Sequence, residues 1–215
     1  MERVLIIGSN GAGKSTFSFR LADKTGLPLI HIDQIYWRGA WEVAPEEEFD
    51  RQVQSEVQKF RWIMEGNNLR SLSRRLDCAD TVFWFEFPPL LCVLNIIRRE
   101  WTYRGRVRPD MPDQCVSQWD LCFLWSVWTF NRKNHRQISS LLQRTENVRI
   151  IRFTNYRQVV QYLNTLARPQ ICGRASFYFP SSSASRASNT WKSARSRREA
   201  SSSLSSRAAR IYFAR

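Results

Sequence analysis

Gly8-Ser9-Asn10-Gly11-Ala12-Gly13-Lys14-Ser15 is the stretch on which the reading of this chain turns. It matches the pattern Gly-x-x-x-x-Gly-Lys-Ser/Thr of a phosphate-binding loop. The four fixed positions arise by chance in about one chain of this length in a hundred. Its flanks strengthen the match. Val4-Leu5-Ile6-Ile7 is a short apolar run of strand type, and Ser15 to Thr25 reads as a helix with Phe17 and Leu21 on one face. Such a loop requires strand, glycine turn and helix in that order.

The residue types set the chemistry. Gly8, Gly11 and Gly13 let the backbone curl so that its N–H groups, through Ser9, Asn10, Ala12 and Thr16, meet phosphate oxygens. The helix that follows adds partial positive charge at its N-terminus. Lys14 is the candidate for the β- and γ-phosphates, and the Ser15 hydroxyl for Mg²⁺. ATP, or another nucleoside triphosphate, is the expected ligand.

Beyond the loop, the composition divides the chain in two. Ten of the 33 Lys and Arg but only one of the 19 Asp and Glu lie from Arg168 onward, which leaves +5 of the overall +14 for residues 1–167. Residues 168–215 are rich in Ser, Arg and Ala, with runs such as Ser181-Ser182-Ser183, and read as a disordered tail. Two other readings stay open. One is an Arg/Ser segment that binds nucleic acid by charge. The other is a tail without selected function, such as a shifted reading frame would leave.

Five scattered cysteines, with no Cys-x-x-Cys pair, argue against a zinc site or a disulfide framework and fit a reducing cytosol. No apolar run has membrane-spanning length, and the first strand starts too early to leave room for a signal peptide.

Residues 1–167 alternate strand and helix signals. Leu29 to Ile32 reads as a second strand ending at Asp33. Pro45 opens a helix with Glu46, Glu47 and Glu48 in its first turn and Phe49, Val53 and Val57 as its stripe. Arg61 to Met64 is a third strand and Thr81 to Phe87 a fourth. Leu90, Leu94, Ile97 and Trp101 mark a further helix. Val148 to Phe153 is a fifth strand, and Val159, Leu163 and Leu166 mark the last helix. Five strands alternating with helices imply a mostly parallel sheet in an α/β fold.

Three acids end strands, where ligands of parallel sheets bind: Asp33, Glu65 and Glu86. Asp33 is the candidate to orient or deprotonate an acceptor hydroxyl, and Glu65 to hold Mg²⁺ through water. The competing reading for each is a helix cap or a solvated loop acid. Moving a phosphoryl group also needs cations. Arg132 and Arg136, four apart on one helix face, and Arg98 or Arg99 are the candidates, against plain dipole complementation. Adjacent helical residues point about 100° apart, so one of Arg98 and Arg99 faces the site. Residues 102–117, with Gly105, Pro109, Pro112 and three arginines, read either as a mobile lid or as a solvated loop. Tyr36, Trp37 and Trp41 are candidates for a pocket around a planar acceptor, or for core.

The loop Gly8–Ser15, the stretch His31 to Trp37, the segment Trp62-Ile63-Met64-Glu65-Gly66-Asn67 and the run Asp80-Thr81-Val82 leading to Phe87-Pro88 resemble the adenylate-kinase-like P-loop proteins. More narrowly, they resemble the FlaR-like proteins named for DNA topology modulation. Trp125 to Phe130 and the last strand and helix fit as well, so the resemblance covers residues 1–167. It implies a three-layer α/β/α P-loop NTPase fold, a five-stranded parallel sheet of order 2-3-1-4-5 and a small helical lid, here about 98–136. It also implies a nucleotide at Gly8–Thr16 with lid arginines, Arg98 among them, closing over it. Where related kinases carry Asp-Gly after the third strand, this chain has Glu65-Gly66. The charge is kept and the reach changes by a methylene. By looser analogy, Arg70 and Arg75 meet an acceptor phosphate.

The expectation is a cytosolic, Mg²⁺-dependent kinase acting on a nucleoside- or nucleotide-type small molecule, without membrane contact. Lys14, Asp33, Arg132 and Arg136 would carry the transfer. Two alternatives remain: an NTPase associated with DNA through its basic tail, and a nucleotide-binding protein without catalysis.

Overall fold

The computed structural model describes residues 1–117, 120–145 and 147–166. Along the chain run β1 (Arg3–Gly8), α1 (Lys14–Thr25), β2 (Leu29–His31), α2 (Ile32–Tyr36), β3 (Trp37–Arg38), a 3₁₀ turn (Gly39–Trp41), β4 (Glu42–Val43) and α3 (Glu46–Val57). They are followed by β5 (Trp62–Glu65), α4 (Leu72–Cys78), β6 (Thr81–Phe85), α5 (Pro89–Thr102), α6 (Leu121–Arg144), β7 (Arg149–Phe153) and α7 (Tyr156–Thr165).

Five of the strands make one parallel sheet in the order β2-β5-β1-β6-β7. The described residues carry two more strands than the alternation of signals implies, because β3 and β4 form a separate two-stranded antiparallel hairpin. The expected order 2-3-1-4-5 counted only sheet strands, and the hairpin shifts the numbering.

β5 and β6 are buried along their whole length, which is why they read as near-continuous apolar runs. The pleat sends alternate residues of β1 to opposite faces. Val4 and Ile6 join Phe17 and Leu21 of α1, Ile96 of α5 and Val159 and Leu163 of α7. Leu5 and Ile7 join Phe49, Val53 and Val57 of α3, Leu72 and Leu76 of α4 and Ile138 and Leu142 of α6. The result is helix, sheet, helix. Phe17 is the centre of the first layer, edge-on to Phe83 at 4.9 Å, Phe85 at 5.4 Å and Phe153 at 5.6 Å. Burying such a ring contributes about 1.5–3 kcal/mol. In α3 the glutamates of the first turn and the i, i+4, i+8 stripe stand as the sequence implies.

Three expectations change. Among the described residues, the segment expected as a helical lid, about 98–136, is helical at its two ends and irregular between them. α5 ends at Thr102, α6 starts at Leu121, and residues 103–117 between them are irregular, held by the bridges Arg104–Ser117 and Val107–Val116. Met111 and Cys115 of this loop pack with Trp37, and Trp41 Nε1 donates to Val116 O at 3.0 Å. The loop is thus docked on the β3–β4 hairpin. Second, Asp33 does not end a strand. β2 stops at His31 and Asp33 lies in the first turn of α2. Third, the stripe Leu90, Leu94, Ile97 and Trp101 does form a helix, but it faces solvent, while Cys92, Ile96 and Glu100 face inward. The tail, with the readings attached to residues 168–215, lies outside the described residues.

Candidate functional site

The glycine loop lies between the C-terminal edge of the sheet and the start of α5. Gly11 has φ +80°, and a Cβ there would stand 2.3 Å from the Cys92 carbonyl oxygen, so the loop backbone touches the backbone of α5. Asn95 Nδ2 donates to Gly11 O at 2.8 Å and Asn67 Oδ1 accepts from the Gly8 N–H at 2.9 Å, fixing the loop from both sides. Gly8, Ser9 and Ala12 are buried beneath it, and the Ala12 N–H is turned inward onto Ser9 O. Gly13, in the left-handed region at φ 87°, caps α1, and no side chain caps that helix end. The donors of its first turn therefore have no side-chain acceptor.

Lys14 and Ser15 open α1 and meet the end of β5. Lys14 is buried. Its Nζ donates to Ser9 O at 3.2 Å and lies 3.8 Å from Glu65 Oε1. Ser15 Oγ lies 3.3 Å from Glu65 Oε2 and 3.1 Å from Asp110 Oδ2. Its single proton serves one carboxylate at a time, so two acids converge on one hydroxyl. His31 Nδ1 sits 2.9 Å from Glu65 Oε2, and its buried Nε2 has no hydrogen-bond partner among the described residues. Burial opposes charge on His31, yet the hydrogen bond to Glu65 and the charges of Glu65, Asp110 and Asp33 lift its pKa above the ordinary 6.5. Burial raises the Asp33 carboxyl. Glu65 and Asp110 add to this, and Lys14 and Arg108 oppose it.

All of these side chains except His31 line a cleft of about 780 Å³. One wall is aromatic: Trp37 and Trp41, ring centroids 5.4 Å apart, with Met111 beside them. Trp37 follows Asp33 by one helical turn, and its N–H closes α2 on Asp33 O. Another wall carries Arg99 and Arg108. Burial pulls the Arg99 guanidinium down to about 10, and the nearby Arg108 adds to the effect. Asp110, 3.5 Å from Arg108 Nη1, stays below the ordinary carboxylate range. Burial works against this, but Arg108 and Arg99 outweigh it.

Of the residues singled out from the sequence, Asn10, Gly11, Gly13, Lys14, Ser15, Thr16, Asp33 and Glu65 line this cleft together with Trp37 and Trp41. Arg98, Arg132 and Arg136 do not. On α5 the buried row Cys92, Ile96, Glu100 sets the phase, so Arg99 turns into the cleft and Arg98 to solvent. On α6 the buried residues Val127, Phe130, Ile138 and Leu142 leave Arg132 and Arg136 exposed on the far side. Glu86 pairs with His135 at 2.8 Å, away from the cleft. Arg75 is wholly buried, donating to Gly66 O, Asn68 O and Ser71 O, and Arg70 bridges Glu46 and Asp50 on the surface. Both are committed to the scaffold.

Sequence reasoning missed Asp110 and the positions of Arg108 and Asn67. The only signal for the first two was the basic, Pro-rich composition of 102–117. Asn67 entered only as the last residue of the segment Trp62–Asn67 that carries the resemblance, with no role attached to it.

No family model and no curated protein matches the chain. Among solved structures it is similar to an unliganded sugar kinase from Janibacter sp. HTCC2649, with 15% identity and a TM-score of 0.42, over 77% of this chain and 94% of that one. An overlay this loose carries no assignment, so the site's own geometry must.

Proposed function

We infer that the chain binds a nucleoside triphosphate, ATP by default, along residues 8–16 and moves its γ-phosphoryl group to a small acceptor seated by Asp33, Trp37 and Trp41. One observation carries the reading: Lys14 and Ser15, at a helix start that no side chain caps, open into the same cleft as Asp33, Arg99 and Arg108. The residues also suit a divalent cation, since Ser15 Oγ has Glu65 and Asp110 carboxylates within 3.3 Å. Ser15 would hold Mg²⁺ directly, with Glu65 behind its water. The ion, when bound, would neutralise charge on the β- and γ-phosphates.

The remaining work falls to the chain. The α1 N-terminus and the Lys14 ammonium bind the phosphates and stabilise charge as it develops. Asp33, its carboxyl raised by burial, is suited to accept a proton from an acceptor hydroxyl. Arg99 and Arg108 repel one another, and an anion between them relieves this. In this reading they take the part expected of Arg132 and Arg136. Trp37, Trp41 and Met111 exclude water and present apolar faces to a planar acceptor. With Arg70 and Arg75 engaged elsewhere, Arg99 and Arg108 are the arginines in the cleft wall besides Arg20, and the triphosphate needs them.

The test is a screen of acceptors with labelled ATP, alongside calorimetric ATP binding to wild type, Lys14→Ala and Asp33→Asn. Lys14→Ala should weaken ATP binding about 10- to 150-fold, the worth of a charge-assisted contact to phosphate. Asp33→Asn should bind ATP normally and lose transfer. Unchanged ATP affinity in a folded Lys14→Ala variant would refute the assignment of the loop.

A further inference from the structure

The outward faces of α5 and α6 carry large apolar side chains that no other described residue covers. On α5, Leu90, Leu94, Ile97 and Trp101 recur at i, i+4, i+7 and i+11, yet are 58, 53, 36 and 73% exposed. On α6, Leu121, Trp125 and Trp128 recur at i, i+4 and i+7 and are 80, 65 and 46% exposed. The helices are antiparallel neighbours. Asn131 Nδ2 donates to Phe87 O, just before α5, at 3.0 Å, and near the other end Arg99 lies over the Phe123 ring at 6.0 Å. This alignment sets Trp101 beside the start of α6 and Leu94 beside Trp125 and Trp128. Both buried rows face the body, so both exposed rows face out and merge into one patch.

At about 200 Å² for a fully exposed large side chain, those exposures amount to roughly 800 Å². The largest apolar patch on an ordinary monomer is about 300–600 Å². A standard stable interface takes about 800 Å² from each partner. We propose that this face is a two-fold interface with a second copy of the chain. The spacing is that of a helix-packing seam, in which residues three and four apart interlock with a facing helix. A two-fold interface uses one patch twice and so needs a self-complementary surface of this kind.

The rim adds a directional signature. Arg98, Arg132 and Arg136 are exposed, α6 contains no acid, and the one acid of α5, Glu100, is buried. Two copies bring basic rims together, so salt strengthens their association by screening. An anionic lipid surface or a nucleic acid on the same face would be released by salt instead.

Sedimentation velocity of the full chain, from about 1 to 100 µM in low and high salt, tests this. The expected result is a dimer that dissociates in the micromolar range or below and tightens as salt rises. Leu94→Glu and Trp125→Ser should each weaken it tenfold or more while the circular dichroism stays unchanged, since both positions are exposed. A monomer at 100 µM in both salts overturns the proposal. So does a dimer indifferent to both substitutions, or association lost at high salt with retention on phosphatidylserine vesicles at low salt.

Discussion

Replacing Glu65 by Gln removes the one charge that Lys14, Ser15 and His31 share. The shape is kept, and the Gln carbonyl can still accept from Ser15 and His31. Breaking a buried pair costs about 3–5 kcal/mol when the partner stays charged, and the retained hydrogen bonds place this variant near the low end, about 3 kcal/mol at about pH 6. The loss should depend on pH in one direction. In the wild type His31 has a raised pKa, so its stabilising contribution is fully present below about 6.5 and fades as pH rises through the folded value. In the variant, burial is no longer outweighed by Glu65. The folded pKa falls, and protonating His31 then works against folding. Asp33 acts in the same sense. Its raised pKa, due to burial and then Glu65, means that ionising it costs stability at neutral pH, and removing Glu65 eases that cost only where Asp33 is ionised. The gap between wild type and variant should therefore shrink by about 1 kcal/mol from pH 6 to pH 8.5. A difference of one bound proton is worth at most about 1.4 kcal/mol per pH unit. Urea unfolding at both pH values measures it. A gap that stays constant, or widens as pH rises, would show that Glu65 is not the partner that sets the charge of His31.

Two further pairs of substitutions separate cleft from surface and contact from conformation. Arg99→Ala should lower transfer about 1,000-fold, the low end for a cation beside a moving phosphoryl group, whereas Arg136→Ala, on exposed α6 surface, should stay within about threefold; equal effects in steady-state rates would contradict the assignment of the cleft. Gly26→Ala should cost about 1 kcal/mol, because at φ +68° its Cβ meets nothing within 4 Å. Gly11→Ala should cost at least about 3 kcal/mol or displace the loop, since its Cβ would overlap Cys92 O. Similar chemical denaturation midpoints for these two would refute the tight loop–helix contact.

The parts of the fold that could be read from sequence are those set by neighbours in the chain. β1, the glycine loop and α1 follow from local conformation and a two-sided apolar run. α3 follows from its glutamate-rich first turn and a stripe of spacing four. The site was readable where the loop itself supplies it, at Lys14 and Ser15, and at Asp33 and Glu65 beside the sheet edge. It was not readable where long-range packing chooses the residue. Arg98 and Arg99 are equivalent in composition, and only the burial of Cys92, Ile96 and Glu100 decides between them. Arg75 looks like a free cation in sequence, yet three carbonyl oxygens between Gly66 and Ser71 take it. The stripe on α5 has the period of a core helix, and period alone does not say which side is wet. The β3–β4 hairpin, two residues per strand, is too short to leave any periodic trace.

That hairpin and the loop 103–117 meet at a seam with an unusual backbone. Ala40, Trp41 and Gln114 all hold positive φ, 62°, 62° and 70°, without being glycine. Each such residue stores on the order of 1 kcal/mol, and all three flank the contacts that join the two segments: Trp41 to Val116, Cys115 to Arg38 and Gly39 beside Gln114. Strain stored there offsets part of what those contacts contribute, so the aromatic wall and the loop are held together less firmly than the contacts alone would imply.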